Sequence, residues 1–411
     1  MRVLDAWSEI LSTLARNRLR TFLTALSVAW GIFMLVLLLA AGDGLQRGVE
    51  YDFRDDATNS VWIRPGRTSI PHQGLVPGRP IHLQTADVEA LVRDIPGIEH
   101  ITGRFYLWGE RPVSHAGRKG SFDVRGCHPD HQYLERSVIL EGRFINRRDV
   151  EEARKVCVIS EPIRRTLFEP DDPGIGSVIK VSGVNFLVVG IYDDAGGEGE
   201  LEKIYVPISA AQRLYGGEDR VHAVMFTTGD ATVEESRAME SSATRLLAER
   251  HRFSLEDPRA VHITNNLERF TKVRETFAWI RAFVWFVGIG TLFAGMVGVS
   301  NIMLISVQER TAEIGIRKAV GATPGSVVAL VLQESLFITA VAGYGGLLAG
   351  TVVVELVQRN LGENPYIRDP RVDFGTAIAA TIALIVAGGL AGLLPALRAA
   401  TIRPVAALRQ E

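Results

Sequence analysis

The chain has 411 residues, 47% of them hydrophobic and 22% charged, with a formal net charge of -2. That near-neutral balance gives no electrostatic footprint for nucleic acid, and none is expected as a partner. Two cysteines cannot build a disulfide framework or a tetrahedral thiolate metal site. The averages would suit a soluble protein of two or three domains, but the apolar residues are gathered in blocks at both ends.

Residues 1–20 place Val3, Leu4, Trp7, Leu11 and Leu14 at helical spacing, followed by Arg16, Arg18 and Arg20. This predicts an amphipathic helix lying in the cytoplasmic membrane interface; a solvated arm is the plainer alternative. Residues 21–41 carry no charge. About 20 such residues cross a hydrocarbon core of roughly 30 Å, whereas a cleaved signal peptide has an apolar region of only about 7–15, so the block is read as span one.

From 42 to 275 the pattern changes to that of an α/β domain. NSVWIRPG, ITGRFYLWG, KVCVIS and HAVMFTT read as strands, and TADVEALVRDI and ATVEESRAMESSATRLLAERH as helices. VIKVSGVNFLVVGIY reads as a hairpin turning at Ser182-Gly183, and GRTSIPHQGLVPGRP as an exposed loop. NNLERFTKVRETFAWIRAF has good helix formers and could extend the next span outward as a stalk at the domain's end.

Three further spans follow, at 276–307, 326–354 and 374–397, joined by a loop at 308–325 and a short one at 355–373; a tail at 398–411 closes the chain. Arg2, Arg16, Arg18 and Arg20, then Arg310, Arg317 and Lys318, then Arg398, Arg403 and Arg409 fall in segments that four spans place on one side. In 355–373, Arg359, Arg368 and Arg371 are balanced by four acids. Short basic segments stay cytoplasmic, so both termini are expected inside and 42–275 outside. Arg281, at the outer end of span two, counts against this unless it snorkels. The expected class is a membrane α-helical protein of four transmembrane helices, with a large extracytoplasmic α/β domain inserted between spans one and two.

Small residues recur at four-residue spacing: Ala342, Gly346 and Gly350 in span three, Gly388 and Gly392 in span four. Such faces let helices approach closely, inside one subunit or between two copies, although glycine is also simply common in membrane helices. Glu334 is the ionisable residue inside span three. It lies roughly 12 Å along the helix from Ser326, which suits a structural role near the cytoplasmic boundary better than a proton relay, with Asn301 as a candidate partner. VQERTAEIGIRKAVGATPGS mixes charges with a stripe of Ile314, Ile316, Ala319 and Val320 before Gly321 and Pro324 break the pattern. It reads as a short amphipathic helix able to dock in a partner's groove, or as a simple linker.

NIMLISVQERTAEIGIRKAVGATPGSVVALVLQESL resembles the signature of the MacB/FtsX-type ABC transporter permeases. Asn301, Glu309, Arg310, Thr311, Glu313, Ile314, Gly315, Arg317, Lys318, Gly321, Ala322, Gln333 and Glu334 match that pattern. RNRLRTFLTALSVAWGI resembles the family's opening. The tail LLPALRAATIRPVAALRQE resembles its closing pattern, with Pro395, Ala399, Pro404, Ala407, Leu408, Arg409 and Glu411 in place. LEGRFINRRDV, VCVISEPIRRTLF and KIYVPISAAQRLYGG resemble the MacB-like periplasmic core domain. The resemblance implies a dimer, of two copies or of paralogues, in the inner membrane of a bacterium. Closure of cytoplasmic ATPase domains would be passed through the loop at Glu309–Ala322 and the stalk to the outer domains. These 411 residues contain no Gly-x4-Gly-Lys-Ser/Thr phosphate loop, so ATP and magnesium are expected on a separate ATPase subunit and no cofactor on this chain. Export through a periplasmic adaptor and outer-membrane channel is the leading task; lipoprotein release and activation of a cell-wall hydrolase are the alternatives.

Three other signals carry less weight. Cys127-His128-Pro129-Asp130-His131 groups metal-binding side chains without a second ligand cluster and reads as a surface turn. Cys127 and Cys157 share a domain whose setting would permit a bridge. The acids of GGEGELEK read as loop, and no HExxH, GxSxG or triad spacing occurs.

Overall fold

A computed structural model describes residues 18–52, 57–194, 201–361, 370–371 and 374–403. Most of the amphipathic segment 1–20, the centre of the 355–373 loop, most of GGEGELEK and the tail beyond 403 lie outside the described residues. The chain forms two compact units, one of Met1–Val49 with Glu275–Glu411 and the other of Glu50–Arg274.

In chain order, α1 (Arg18–Asp52) is followed by β1 (Ser60–Pro65), β2 (Leu83–Gln84), α2 (Thr85–Asp94), β3 (Ile101–His115) and β4 (Arg118–Cys127). Then come α3 (His131–Leu134), β5 (Val138–Gly142), α4 (Arg147–Glu151), β6 (Val156–Ser160), α5 (Glu161–Leu167), β7 (Val178–Val181) and β8 (Val184–Asp193). Next are β9 (Lys203–Pro207), α6 (Ile208–Leu214), β10 (Arg220–Val221), β11 (Ala223–Thr227), α7 (Val233–His251) and β12 (Val261–Asn265). The chain continues as α8 (Asn266–Glu309), α9 (Thr311–Ala319), α10 (Pro324–Leu361) and α11 (Phe374–Thr401).

The α/β unit is built on a mixed sheet of order β12-β1-β11-β3-β4-β9-β6-β8-β5, with β7 bridging β3 and β8. β6, VCVIS, is buried at every position because the sheet is covered on both faces: Cys157 and Ile159 enter the main core, Val158 a second core with Phe144, Tyr192 and Tyr205. Such a strand reads as a continuous apolar run rather than an alternation. The hairpin of β7 and β8 turns at Ser182-Gly183, with φ of 44° and 91°. Two successive positive values give the turn whose twist suits a two-residue hairpin.

Cys127 and Cys157 are both free. They lie on β4 and β6 with β9 between them, and they enter different cores. Two strand spacings of about 4.8 Å already exceed the reach of a disulfide, so this arrangement excludes the bridge. The Cys-His-Pro-Asp-His stretch is no surface turn, as its sequence suggested: Cys127 and His131 are fully buried. Burial pushes the Cys127 thiol up and, with Arg104 and Arg125 nearby, holds His131 well below the usual imidazole range. Among the described residues no three His, Cys, Asp or Glu side chains group as a metal site would.

The loop GRTSIPHQGLVPGRP is tied down at several points, among them Arg79 Nη2, which donates to the carbonyl of His251 at 2.6 Å, and the carboxylate of Asp257. Asp257 accepts hydrogen bonds from Ser69 N at 2.6 Å, Ser69 Oγ at 2.6 Å, Ile70 N at 3.0 Å and Arg259 N at 3.0 Å. Burial works to raise this carboxyl, but the donors outweigh it and hold it at about 2. The ionised form is therefore favoured by folding, and its contribution is complete above about pH 4 and lost as the pH falls towards 2. Asp257→Asn is expected to lower the stability of the α/β unit by about 1–3 kcal/mol near neutral pH, and to remove this acid-side loss; chemical denaturation at pH 7 and pH 3 checks both.

The other unit holds the four helices long and apolar enough to cross a membrane: Phe22–Tyr51, Asn266–Glu309, Pro324–Asn360 and Ala377–Thr401. One core joins them, with Ile32 and Val36 of α1, Val299 and Met303 of α8, Val331 and Ile338 of α10, and Ala391 and Ala396 of α11. Contact is close because glycine lines it. A Cβ on Gly346 would lie 2.2 Å from the carbonyl oxygen of Ala29, one on Gly343 2.2 Å from Leu384, and one on Gly392 2.0 Å from Ser335 Oγ. Gly346 and Gly350 thus face α1, and Gly388 and Gly392 face α10, while Ala342 sits in the shared core. The small-residue faces serve packing inside one subunit. Gly288 against Leu35 and Gly295 against Val28 do the same between α8 and α1, a seam that the spacing rule did not single out. Arg281, which the charge count left awkward, pairs with Asp43 at 3.0 Å and bonds Gln46 at 3.0 Å.

Candidate functional site

The short helix α9 begins where α8 ends, with Arg310 as the residue between them. Thr311 Oγ1 donates to the carbonyl of Gln308 at 2.8 Å and sits 3.2 Å from that of Val307, satisfying the end of α8. At its other end Gly321 takes φ of 108°, Ala322 N donates to Arg317 O at 2.9 Å and Gly321 N to Lys318 O at 3.2 Å. This is a Schellman cap, which glycine adopts without a Cβ penalty. Thr323 then caps α10, whose first residue, Pro324, has no N–H to leave unpaired. The pattern Gly-Ala-Thr-Pro is thus a helix stop followed by a helix start.

A chain of charges runs from α9 into α10. Arg317 Nη2 lies 2.8 Å from Glu313, Arg310 Nε 3.2 Å from the same carboxylate, and Arg310 Nη1 3.4 Å from Glu334. Glu334 is buried, at 4% exposure, so a cationic partner offsets part of its desolvation. The partner is Arg310 and not Asn301: Asn301 and Gln333 are exposed on the single chain and make no hydrogen bond among the described residues. The sequence could not show this, because Asn301 and Glu334 were matched by polarity alone, while Arg310 looked like a loop residue.

Lys318 is turned inward. Its Nζ donates to the carbonyls of Ala400 and Ile402, both at 2.7 Å, tying the end of α11 to α9. A cation on the last carbonyls of a helix also meets the negative end of its dipole. Lys318→Met is expected to destabilise the membrane unit by about 1.5–3 kcal/mol, the worth of charge-assisted hydrogen bonds, visible as a lower melting temperature in detergent.

The apolar residues of α9 do not form the single stripe expected from the sequence. Ile314 and Gly315 are buried against the membrane helices, with Ile314 in their core. Ile316, Ala319 and Val320 point out, at 52% exposure for Ile316 and 84% for Val320. Glu309 and Gly321 are exposed as well. The helix therefore has an inner face anchored by Ile314, Gly315, Arg310 and Lys318, and an outer apolar face one turn long. An exposed apolar pair at i and i+4 on a short helix closed by a Schellman cap is the shape that seats in a groove of another protein.

The family model of the MacB-like periplasmic core domain matches residues 21–241, and that of the FtsX-like permease C-terminal region matches 285–404. The macrolide export ATP-binding/permease protein MacB of Bdellovibrio bacteriovorus is 27% identical over 403 residues, covering 97% of this chain and 60% of that protein. Its counterpart in Rhodopseudomonas palustris is 29% identical, covering 100% and 61%. The pyoverdine export ATP-binding/permease protein PvdT of Pseudomonas entomophila is 27% identical, covering 96% and 58%. The chain thus spans about three fifths of the length of these relatives. Among solved structures, the periplasmic region of MacB from Actinobacillus actinomycetemcomitans aligns with a TM-score of 0.44 at 18% identity, covering 54% of this chain and 96% of that one. The extracellular domain of the transporter YknZ from Gram-positive bacteria aligns at 0.42 and 16%, covering 50% and 100%.

Proposed function

Since the chain belongs to the MacB/FtsX-like family of ABC transporter permeases, we propose that it couples ATP hydrolysis on a separate cytoplasmic ATPase subunit to mechanical motion of its extracytoplasmic domain. The observation that carries this reading is the two-sided helix α9. Its outer face, Ile316 and Val320, receives the ATPase, and its inner face is bonded to two spans. A push on α9 reaches α10 through Glu313, Arg310 and Glu334, and α11 through Lys318. ATP and magnesium bind the partner; this chain supplies no catalytic group. The assembly sits in the bacterial inner membrane, with the α9 loop in the cytoplasm.

The working unit contains a second permease subunit, a copy or a paralogue. Asn301 and Gln333 support this, since uncompensated polar groups are costly in hydrocarbon and a neighbouring helix can bond them. The cargo is a small molecule or peptide, exported through a periplasmic adaptor and an outer-membrane channel, in line with the names of the macrolide and pyoverdine exporters it is similar to. Purification of the tagged chain in nanodiscs, with mass spectrometry of everything retained, tests the reading. An ATPase with an adaptor is expected. Acylated lipoproteins or a wall hydrolase in place of the adaptor would reassign the task to lipoprotein release or hydrolase activation, and absence of any ATPase would overturn the coupling itself.

A further inference from the structure

We propose that the α/β domain binds a small aromatic anion in a groove beside β3, between the ring of Trp108 and the guanidinium groups of Arg111 and Arg220. The inference concerns binding alone and stands whether or not the bound molecule is exported.

The groove is made by an irregularity in the sheet. The register of β3 against β4 shifts between Leu107 and Arg111, leaving Trp108, Gly109 and Glu110 outside the ladder. Such a bulge re-aims side chains. Trp108 stands 70% exposed. The opposite wall is the segment Tyr215–Gly217, brought close because Gly217 has no side chain: a Cβ there would lie 2.6 Å from the ring of Phe105. The groove, open to solvent on one side, offers about 200 Å³, below the ~300–1,000 Å³ typical of sites for drug-sized ligands and suited to one small ring system.

Its lining combines flat rings with unpaired positive charge. Tyr106 stacks on His222 at 5.9 Å and 20°, and Trp108 meets His222 edge-on at 5.6 Å and 65°. Tyr106 N donates to His222 Nδ1 at 2.9 Å, which leaves the proton of the neutral ring on Nε2 as a donor. Burial, with Arg220 beside it, holds this imidazole below its usual range. Neither Arg111 nor Arg220 has a carboxylate partner among the described residues, and Arg111 Nε is closed to solvent without an acceptor. Glu110, Glu218 and Asp219 are near in sequence, yet none of them pairs with either arginine. Exposed Arg220 and half-buried Arg111 have no counter-ion among the described residues, and Arg111 keeps one donor closed to solvent without an acceptor; Trp108, although it touches Tyr106 and His222, leaves most of its ring surface open. An aromatic carboxylate, or a catecholate or sulfonate of the same size, provides both a counter-ion and a flat partner.

The test titrates 1-naphthoate into the full chain in nanodiscs by calorimetry, with empty nanodiscs subtracted. Saturable binding is expected, weakened at least tenfold by Arg111→Gln combined with Arg220→Gln, and unchanged by Arg245→Gln, an exposed arginine on α7. Trp108→Ala should weaken it too, and neutral 1-naphthalenemethanol should bind at least tenfold more weakly. No saturation up to about 1 mM, equal affinity in the double variant, equal loss in Arg245→Gln, or equal binding of the neutral alcohol would each overturn the proposal.

Discussion

Replacement of Gly346 by leucine is expected to abolish the folded membrane unit. The added Cβ would meet the backbone of Ala29 at 2.2 Å from its carbonyl oxygen, 2.9 Å from its carbonyl carbon and 3.0 Å from its Cα. Backbone cannot rotate out of the way as a side chain can, so α10 and α1 must separate along their length. Separation also opens the contact one turn on, where Gly350 faces Val36. Overpacking usually costs about 1–3 kcal/mol; a backbone clash shared along two spans belongs at or above the upper end. Lipid supplies no hydrophobic drive to compensate, because the tails are as apolar as the side chains. Gly345, the next residue, meets nothing within 4 Å, so Gly345→Leu should express and elute like the parent. Equal monodispersity of the two variants on size exclusion would contradict the packing described here.

The second large effect falls on function and leaves the fold intact. Ile316→Glu combined with Val320→Glu changes two exposed positions on α9. Both positions face solvent, so the charges should be tolerated and leave Ile314, Gly315 and the Arg310–Glu334 contact in place. ATP-driven activity should fall at least about tenfold, since central apolar anchors of an interface each contribute ~2 kcal/mol or more when truncated. The melting temperature should move little. Gly315→Trp would be a poor probe of the same idea, since Gly315 is buried and the substitution would break the helix seat itself. Stimulated ATPase activity in reconstituted vesicles, measured beside thermal melting, separates the two cases.

The four apolar helices and the intervening α/β domain were legible because both signals are periodic or continuous over many residues. The hairpin at Ser182-Gly183 was legible from its turn chemistry. The hairpin between β3 and β4, turning at Ala116-Gly117 with φ of 45° and 90°, was not: its strands mix arginines, serines and glycines at positions half in solvent. Nor was β9, whose KIYVP is a short run with no alternation because both of its faces are covered. In the loop between spans two and three, sequence supplied the membership but not the division of labour. Ile314 and Ile316 are alike in chemistry and two residues apart, yet a helix turns them to opposite sides, one into the core and one out. Arg310 and Lys318 read as surface charges, while their partners, Glu334 and the carbonyls at Ala400 and Ile402, are 24, 82 and 84 residues away. No local pattern encodes such pairings.

The most direct test of the coupling claim places a photo-crosslinking amino acid at Val320 in one variant and at Ile289, an exposed position on α8, in another. Illumination in native membranes is predicted to join the Val320 variant, and not the Ile289 variant, to an ATP-binding protein, with a yield that changes when ATP is trapped by vanadate. Adducts to lipid or to the chain itself alone at Val320, with no ATPase captured in either nucleotide state, would contradict it.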